Sequence, residues 1–176
     1  MDEAAVEAVI LAINALGAGI LLFVSGVVQR IMNDMDEREF RTFTQTLVRT
    51  ATSDPFAVTI GTIPILALIF YFVRFGFGHW WFTAGIVTWM IGSTVSKIAN
   101  LPVYEWVGNP ANTDAAETRR QRRRLELGNH ARAWLTLLSV VLMACQFSVT
   151  VTALAIVSCL VIAAPTLWLA RWYFHN

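Results

Sequence analysis

Polar side chains recur along one face of a predicted helix that leads into a long apolar segment. Asn129, Arg132 and Thr136 follow one another at steps of three and four residues, which is the spacing of a helix face. A second predicted helix carries Ser96 and ends near Asn100, one turn further along. An arginine can hold a carboxylate, phosphate or phenolate in a forked contact. We therefore predict a binding site for a small apolar or phenolic ligand where these side chains meet.

The same side chains also have a purely structural interpretation. Ser, Thr and Asn often join transmembrane helices by hydrogen bonds, and Arg132 or Lys97 at the end of a span can extend its charge to lipid phosphates. The convergence of Arg132, Asn129 and Asn100 near one membrane surface favours a ligand site. The sequence leaves both interpretations open.

The composition of the chain indicates a membrane protein. Of its 176 residues, 56% are hydrophobic and 14% are charged, whereas soluble domains typically carry about 25% charged residues. The mean hydropathy is +0.57. We predict an all-α fold, with one integral membrane domain over residues 1–176 that forms a polytopic transmembrane helical bundle.

Five membrane spans are predicted, at residues 4–29, 55–73, 80–98, 129–147 and 150–170. Crossing a hydrocarbon core of roughly 30 Å takes about 20 apolar residues in a helix. The last two spans come from one uncharged run, residues 133–170, which would be about 57 Å long as a helix. We divide this run near its most polar part, residues 146–150. Without that division the count is four.

Two basic loops, residues 30–54 and 99–128, set the predicted orientation. Most of the thirteen Lys and Arg residues lie in these loops, whereas the N-terminus is acidic. Positive-inside counting places both loops in the cytoplasm and the N-terminus outside. We expect the membrane to be the cell (inner) membrane. Short cytoplasmic helices at the membrane interface are expected in these loops.

A run of arginines stands in the second loop. A basic cluster beside a span contacts anionic lipid headgroups more often than nucleic acid. We predict a lipid-facing surface and no nucleic-acid partner for these residues, which are Arg119, Arg120, Arg122, Arg123 and Arg124.

Residue patterns for metals and cofactors are missing from the sequence. The three histidines, His79, His130 and His175, are far apart, and no HxxH or ExxH pair lies on a span. The chain also has no phosphate-binding glycine loop, no nucleophile elbow and no CxxC. We predict no metal and no cofactor.

Two short motifs flank the second basic loop. Asn100-Leu-Pro102 follows the third predicted span, and Asn129-His-Ala-Arg132 enters the fourth. In order and placement they resemble the small membrane-protein family of unknown function that includes the anthrone oxygenases, in which Asn-x-Pro-x-Asn and Trp-x-x-x-Asn-x-x-Arg motifs hold these places. Tyr104 stands where the second Asn of the first motif would be, and Leu125 where the Trp would be. A fifth span would extend beyond the family's usual four helices.

This resemblance implies a chemistry for the predicted site. The family's oxygenases oxidise an activated phenolic carbon acid with molecular oxygen, without metal or flavin. By analogy, Arg132 would stabilise the anion and His130 would act as the base, and these two are the candidate catalytic residues. The ligand would be contacted by Asn100, Asn129, Tyr104, Trp106, Ser96 and Thr136, with the two aromatic side chains walling its ring.

Three functions remain open at this level. The first is a cytoplasm-facing polar pocket for a small aromatic or apolar ligand, with oxygenase activity as its catalytic form. The second is a non-catalytic membrane subunit that packs in a homo- or hetero-oligomer. The third is a small transporter that uses Glu7 and Asn14, which are seven residues apart and share a helix face. Transport is least supported, because no charged residue is near a span centre and no repeat pair is present.

Overall fold

The structure is a computed structural model that describes residues 2–175, apart from the side chains of residues 59, 60, 63, 174 and 175. The side chain of His175 therefore lies outside the described part. Residues 2–175 form seven helices in this order: α1 (Glu3–Asp34), α2 (Glu37–Ser53), α3 (Pro55–Phe75), α4 (Trp80–Ala99), α5 (Leu101–Gly108), α6 (Ala115–Cys145) and α7 (Val149–His175). The described residues contain no strand, so the prediction of an all-α fold is confirmed.

Aspartates begin four of the helices. In each case a carboxylate accepts a hydrogen bond from a backbone N–H in the first turn, which satisfies one of the donors that a helix start leaves free. At α2 the cap is reciprocal, because the Glu39 side chain also accepts from the Asp36 backbone. At α3, Pro55 occupies the first helical position, where its missing N–H costs nothing. The four caps are Asp2, Asp36, Asp54 and Asp114.

Two helices are long and apolar enough to cross a membrane, namely Glu3–Asp34 and Val149–Tyr173. The predicted count of five spans is not supported among the described residues. The apolar part of α6, residues 133–145, is only about 20 Å long. The last two turns of α4 carry Ser93, Ser96 and Lys97, which lower its hydropathy.

The helix α6 differs from the sequence prediction in its length. Residues 99–128 are predicted as a loop with a short helix, yet α6 begins at Ala115 and continues without a break to Cys145. The arginine run and the apolar segment therefore form one helix of 31 residues. The turn at residues 146–148 then separates α6 from α7. It lies within residues 146–150, the predicted boundary between the last two spans.

The helices α4 and α6 make the closest contact in the bundle. A Cβ on Gly85 would lie 2.5 Å from Cγ of Met143 and 2.9 Å from the Ser139 carbonyl oxygen. A Cβ on Gly128 would collide with the Asn100 side chain and would lie 2.8 Å from Cβ of Ala99. The absence of side chains at these two glycines is what lets the two backbones approach.

Two apolar cores hold the helices together. The first joins α1, α3, α4 and the end of α6 through Val6, Ile10, Leu68, Tyr71, Phe82, Ile86 and Met143. The second joins the end of α1 to α2, α5 and the first half of α6 through Met32, Phe40, Val103, Val107 and Leu125. The short helices of the predicted loops thus pack on the base of the bundle.

Candidate ligand cavity

A cavity of about 640 Å³ opens between α1, α3, α4 and α6. Apolar side chains form most of its wall: Ile13, Ile20, Leu21, Phe56, Ile65, Trp89 and Met90. Polar and cationic side chains gather on the last turns of α4 and the facing part of α6: Ser93, Ser96, Lys97, Arg132 and Thr136. The cavity is therefore mostly apolar, and its polar and cationic groups are concentrated where α4 faces α6.

Arg132 is a half-buried cation at this polar part of the cavity. Its Nη1 donates a hydrogen bond of 3.3 Å to Oγ of Ser96, and the hydroxyl of Thr136 donates to the Arg132 carbonyl at 2.9 Å. Within the part of the chain that the structure describes, no carboxylate lies within 4.0 Å of the guanidinium. Its charge therefore has no counterion among the described side chains.

Asn14 lies deeper in the same cavity. Its Nδ2 donates to Oγ of Ser139 at 2.9 Å and approaches the sulfur of Met143 at 3.6 Å. Asn14 and Ser139 are both buried. This pair joins α1 to α6 and satisfies most of the polar atoms that it buries.

A chain of amide side chains crosses the bundle beside the cavity. Nδ2 of Asn100 donates to Oδ1 of Asn129 at 2.8 Å, and Nδ2 of Asn129 donates to Oε1 of Gln29 at 2.9 Å. Nε2 of Gln29 then donates to Oδ1 of Asn33 at 3.0 Å, and Asn33 donates to Glu126 at 2.9 Å. We call Gln29, Asn33, Asn100 and Asn129 the amide end of the bundle. These residues bond to one another across helices and do not line the cavity.

The predicted site residues are thus divided. Arg132, Ser96 and Thr136 line the cavity, whereas Asn100 and Asn129 lie in the amide end. His130 is exposed on α6, and its Nδ1 is 2.9 Å from the carbonyl oxygen of Glu126. The structure therefore does not bring the predicted base to the predicted cation.

The two predicted aromatic walls lie in the base of the bundle. Tyr104 and Trp106 pack against the core formed by α2, α5 and α6. Burial raises the pKa of the Tyr104 hydroxyl, and the positive charge of Arg132 opposes that rise. The guanidinium of Arg41 lies 5.4 Å from the ring centroid of Trp106. Neither ring is part of the cavity wall.

The arginines of the run differ in burial, because Arg122 is partly buried and the other four are exposed. Arg122 donates to the carbonyls of Asn33 and Asp36 at 3.0 and 3.2 Å and lies over the ring of Phe40 at 4.7 Å. Such contacts fasten α6 to the α1–α2 turn. Arg119 pairs with Glu37, Arg124 donates to the Ile98 carbonyl, Arg120 lies 3.8 Å from Glu117, and Arg123 is exposed.

A second polar cluster lies at the opposite end of α1, and sequence reasoning missed it. The hydroxyl of Tyr71 donates to Glu7 at 2.8 Å and contacts Glu3 at 3.1 Å. Nδ1 of His79 is 2.7 Å from Oε1 of Glu7 and 3.4 Å from Oε1 of Glu3. We call Glu3, Glu7, Tyr71 and His79 the carboxylate end. The hydrogen bond to Glu7, opposed by partial burial, raises the pKa of His79 above 6.5.

One signal in the sequence could have found this cluster. Glu3 and Glu7 are four residues apart and so share one face of α1. His79 immediately precedes α4, and Tyr71 is in the last two turns of α3. Patterns such as HxxH and ExxH detect ligands on one helix only, so they cannot pair His79 with carboxylates on α1.

Comparisons of the chain with family models, with curated proteins and with solved structures find no match.

Proposed function

We propose that this chain is an integral membrane protein that binds a small amphipathic anion in the cavity between α1, α3, α4 and α6. One observation carries the proposal: Arg132 is half-buried, has no carboxylate partner among the described residues, and lines a mostly apolar cavity. Buried charges are normally paired or bound to ions. An anionic ligand would supply the missing partner.

Membrane insertion is supported by the exposure of α7. Every residue from Ala153 to Tyr173 is exposed, and none of the apolar window of this helix is buried. The core helix of a soluble protein passes the same length and composition test, but it is covered by other helices. An exposed apolar helix of 25 residues, about 37 Å long, is stable where lipid covers it.

The bundle has the dimensions of a membrane layer. Glu7 and Gln29, on the first helix, are separated by about 33 Å of helix rise, close to the roughly 30 Å thickness of a hydrocarbon core. We place the amide end at the cytoplasmic surface, because α2 and the first half of α6 carry most of the arginines. The N-terminus is then outside.

The ligand chemistry follows from the wall of the cavity. A volume of about 640 Å³ is in the range of pockets for drug-sized molecules. Arg132 and Lys97 favour a carboxylate, phenolate or phosphate group, and the apolar wall favours a hydrocarbon or aromatic body. The ligand is therefore an amphipathic acid whose charged group contacts α4 and α6.

A binding assay with matched probes tests this proposal. Laurate and the uncharged dodecanol share an alkyl chain, and a shift of tryptophan emission reports on the binding of both, because Trp89 lines the cavity and its surroundings change when either ligand enters. Arg132→Gln should weaken laurate binding at least about tenfold, since a hydrogen bond to a charged group contributes about 1.5–3 kcal/mol, and should leave dodecanol binding unchanged. Arg123→Gln, which removes an exposed arginine of the same helix, should change neither. Equal laurate binding by Arg132→Gln and wild type would refute the proposal.

Oxygenase activity is the catalytic form of this proposal. Arg132 would stabilise an enolate formed from a phenolic acid, as the resemblance to anthrone oxygenases implies. However, no histidine or carboxylate is among the described residues of the cavity wall, so a base must come from elsewhere. We therefore place ligand binding first. Metal-independent oxygen uptake with anthrones that is lost in Arg132→Ala would support the oxygenase, and no uptake above the detergent blank would leave a binding protein.

The exposure of α7 also favours a second candidate, a non-catalytic membrane subunit. A helix that no other described part of the chain covers can pack against another membrane chain as well as against lipid. Purification in mild detergent with chemical crosslinking tests this candidate. A partner that copurifies in stoichiometric amount and is lost when α7 is changed would support it. A chain that purifies as a monomer and forms no intermolecular crosslinks would oppose it.

A further inference from the structure

Three metal-ligating side chains converge at the carboxylate end. Glu3 and Glu7 come from successive turns of α1, and His79 comes from the connection between α3 and α4. One ligand atom from each residue lies within 4.8 Å of the other two. The chain thus brings together donors from segments more than seventy residues apart in sequence.

The charges of this cluster do not balance by themselves. Glu7 is 2% exposed, and the described ion pairs of both glutamates are with His79 alone. Two carboxylates then share one imidazole, so a negative charge is left over even when His79 is protonated. A divalent cation, with neutral imidazole, would neutralise both carboxylates, and buried charges are stable when paired or bound to a metal.

The spacing and donor types also suit a metal. Around a tetrahedral Zn²⁺ with bonds of about 2.0–2.1 Å, neighbouring ligand atoms are about 3.3 Å apart. The distances from Nδ1 of His79 to the two carboxylate oxygens are 2.7 and 3.4 Å. One imidazole nitrogen and two carboxylate oxygens are common ligands of Zn²⁺. The distance of 2.7 Å between His79 and Glu7 must widen by about 0.6 Å to reach this spacing.

We propose that Glu3, Glu7 and His79 bind one divalent transition-metal ion, best matched by Zn²⁺, at the start of α1. Tyr71 is a positioning residue, because its hydroxyl contacts both carboxylates and holds them toward His79. The ion would fasten the connection between α3 and α4 to α1. This inference is independent of the ligand in the cavity, which lies between other residues.

Direct metal binding by the full chain in detergent tests the proposal. Chelator-treated protein is titrated with ZnCl₂ by calorimetry, and metal content is measured after dialysis. Wild type should bind one Zn²⁺ per chain, and Glu3→Gln or His79→Gln should weaken binding at least about tenfold. Tyr71→Phe should keep the stoichiometry and weaken binding by about tenfold or more, as loss of a group that orients metal ligands does.

The controls separate this site from chance binding and from misfolding. His130→Gln removes an exposed histidine outside the cluster and should bind Zn²⁺ as wild type does. Glu3 and His79 have side chains that are 31% and 40% exposed, so their variants test the site without removing a buried group. Circular dichroism should confirm that each variant is helical. No retained Zn²⁺ in wild type, or wild-type affinity in both Glu3→Gln and His79→Gln, would overturn the proposal.

Discussion

The amide end and the carboxylate end solve the same problem with different chemistry. Each joins α1 to other helices through buried polar side chains. At the amide end, each side chain carries both a donor and an acceptor, so Asn100, Asn129 and Gln29 bond to one another in sequence. At the carboxylate end, Glu3 and Glu7 only accept, so their donors come from Tyr71 and His79.

Because of this difference, we expect the helix contacts at the carboxylate end, but not those at the amide end, to depend on ions. The amide side chains are themselves neutral, so burying them leaves no charge to compensate. Two neighbouring carboxylates of which one, Glu7, is buried need a proton or a cation, and their stability then depends on what the solution supplies. We therefore expect the amide end to set the stability of the bundle under all conditions, and the carboxylate end to respond to metal ions.

The largest loss of stability is expected from Gly128→Ala, which disturbs the packing of the amide end. The new Cβ would collide with the Asn100 side chain and crowd Ala99 at 2.8 Å. Overpacking costs about 1–3 kcal/mol, and the displaced Asn100 would also lose its bond to Asn129. We expect a net loss of about 2–3 kcal/mol, measured by thermal unfolding in detergent.

The control for this change is Gly19→Ala on α1. A Cβ at Gly19 meets nothing within 4 Å, and replacing a helical glycine with alanine is favourable by up to about 1 kcal/mol. This variant should be as stable as wild type or slightly more so. Equal stability of the two variants would mean that α4 and α6 do not depend on close approach at Gly128.

A somewhat smaller effect is expected from Asn129→Ala, which interrupts the amide chain in its middle. The change removes the bond to Gln29, which is 1% exposed, and leaves the Nδ2 of Asn100 with only its 3.5 Å contact to Ser96. Unsatisfied buried polar groups cost about 1–3 kcal/mol each, and partial relaxation should limit the loss to about 2 kcal/mol. Unfolding with and without a chelator should give the same loss.

Asn112→Ala is the matched control for Asn129. Asn112 donates a bond of similar length, 2.9 Å, to the Trp106 carbonyl in the connection after α5, where water can replace it. We expect a loss below about 0.5 kcal/mol. If Asn129→Ala were equally mild, the amide end would be an incidental network and not the joint of the bundle.

The sequence predicts the helices better than it predicts their meeting points. Apolar periodicity and aspartate caps depend on residues close together in the chain, so the positions of α1, α3 and α4 follow from local patterns. The start of α6 at the Asp114 cap also follows from a local pattern, but its unbroken continuation from the arginine run into the apolar segment does not. In the fold, Arg122 packs over Phe40 and bonds to the α1–α2 turn, which makes this segment part of a long helix.

The site was predictable in part for the same reason. Ser96, Arg132 and Thr136 were expected to converge from their helical spacing, and they line one cavity. The spacing could not indicate that Asn100 and Asn129 would bond to each other. It also could not bring His79 to Glu3 and Glu7, because that requires knowing which helix ends meet in space.

The smallest effect is expected from Tyr71→Phe at the carboxylate end. The change removes one hydroxyl, while His79 still reaches both carboxylates, so the loss without metal should be about 1 kcal/mol, the usual net value of a hydrogen bond. Thr88→Val, which removes a hydroxyl bonded only to Ala84 within its own helix, should cost less than about 0.5 kcal/mol. Unfolding is measured in chelator and again with Zn²⁺.

Unfolding of Tyr71→Phe in chelator and with Zn²⁺ shows whether the carboxylate end responds to the ion. If the carboxylate end responds to ions, Zn²⁺ should raise the unfolding temperature of wild type more than that of Tyr71→Phe, because phenylalanine no longer holds the carboxylates toward His79. The same addition should leave the difference between wild type and Asn129→Ala unchanged. An equal rise in all three proteins would mean that Zn²⁺ acts elsewhere, and that the two ends differ in composition but not in their dependence on ions.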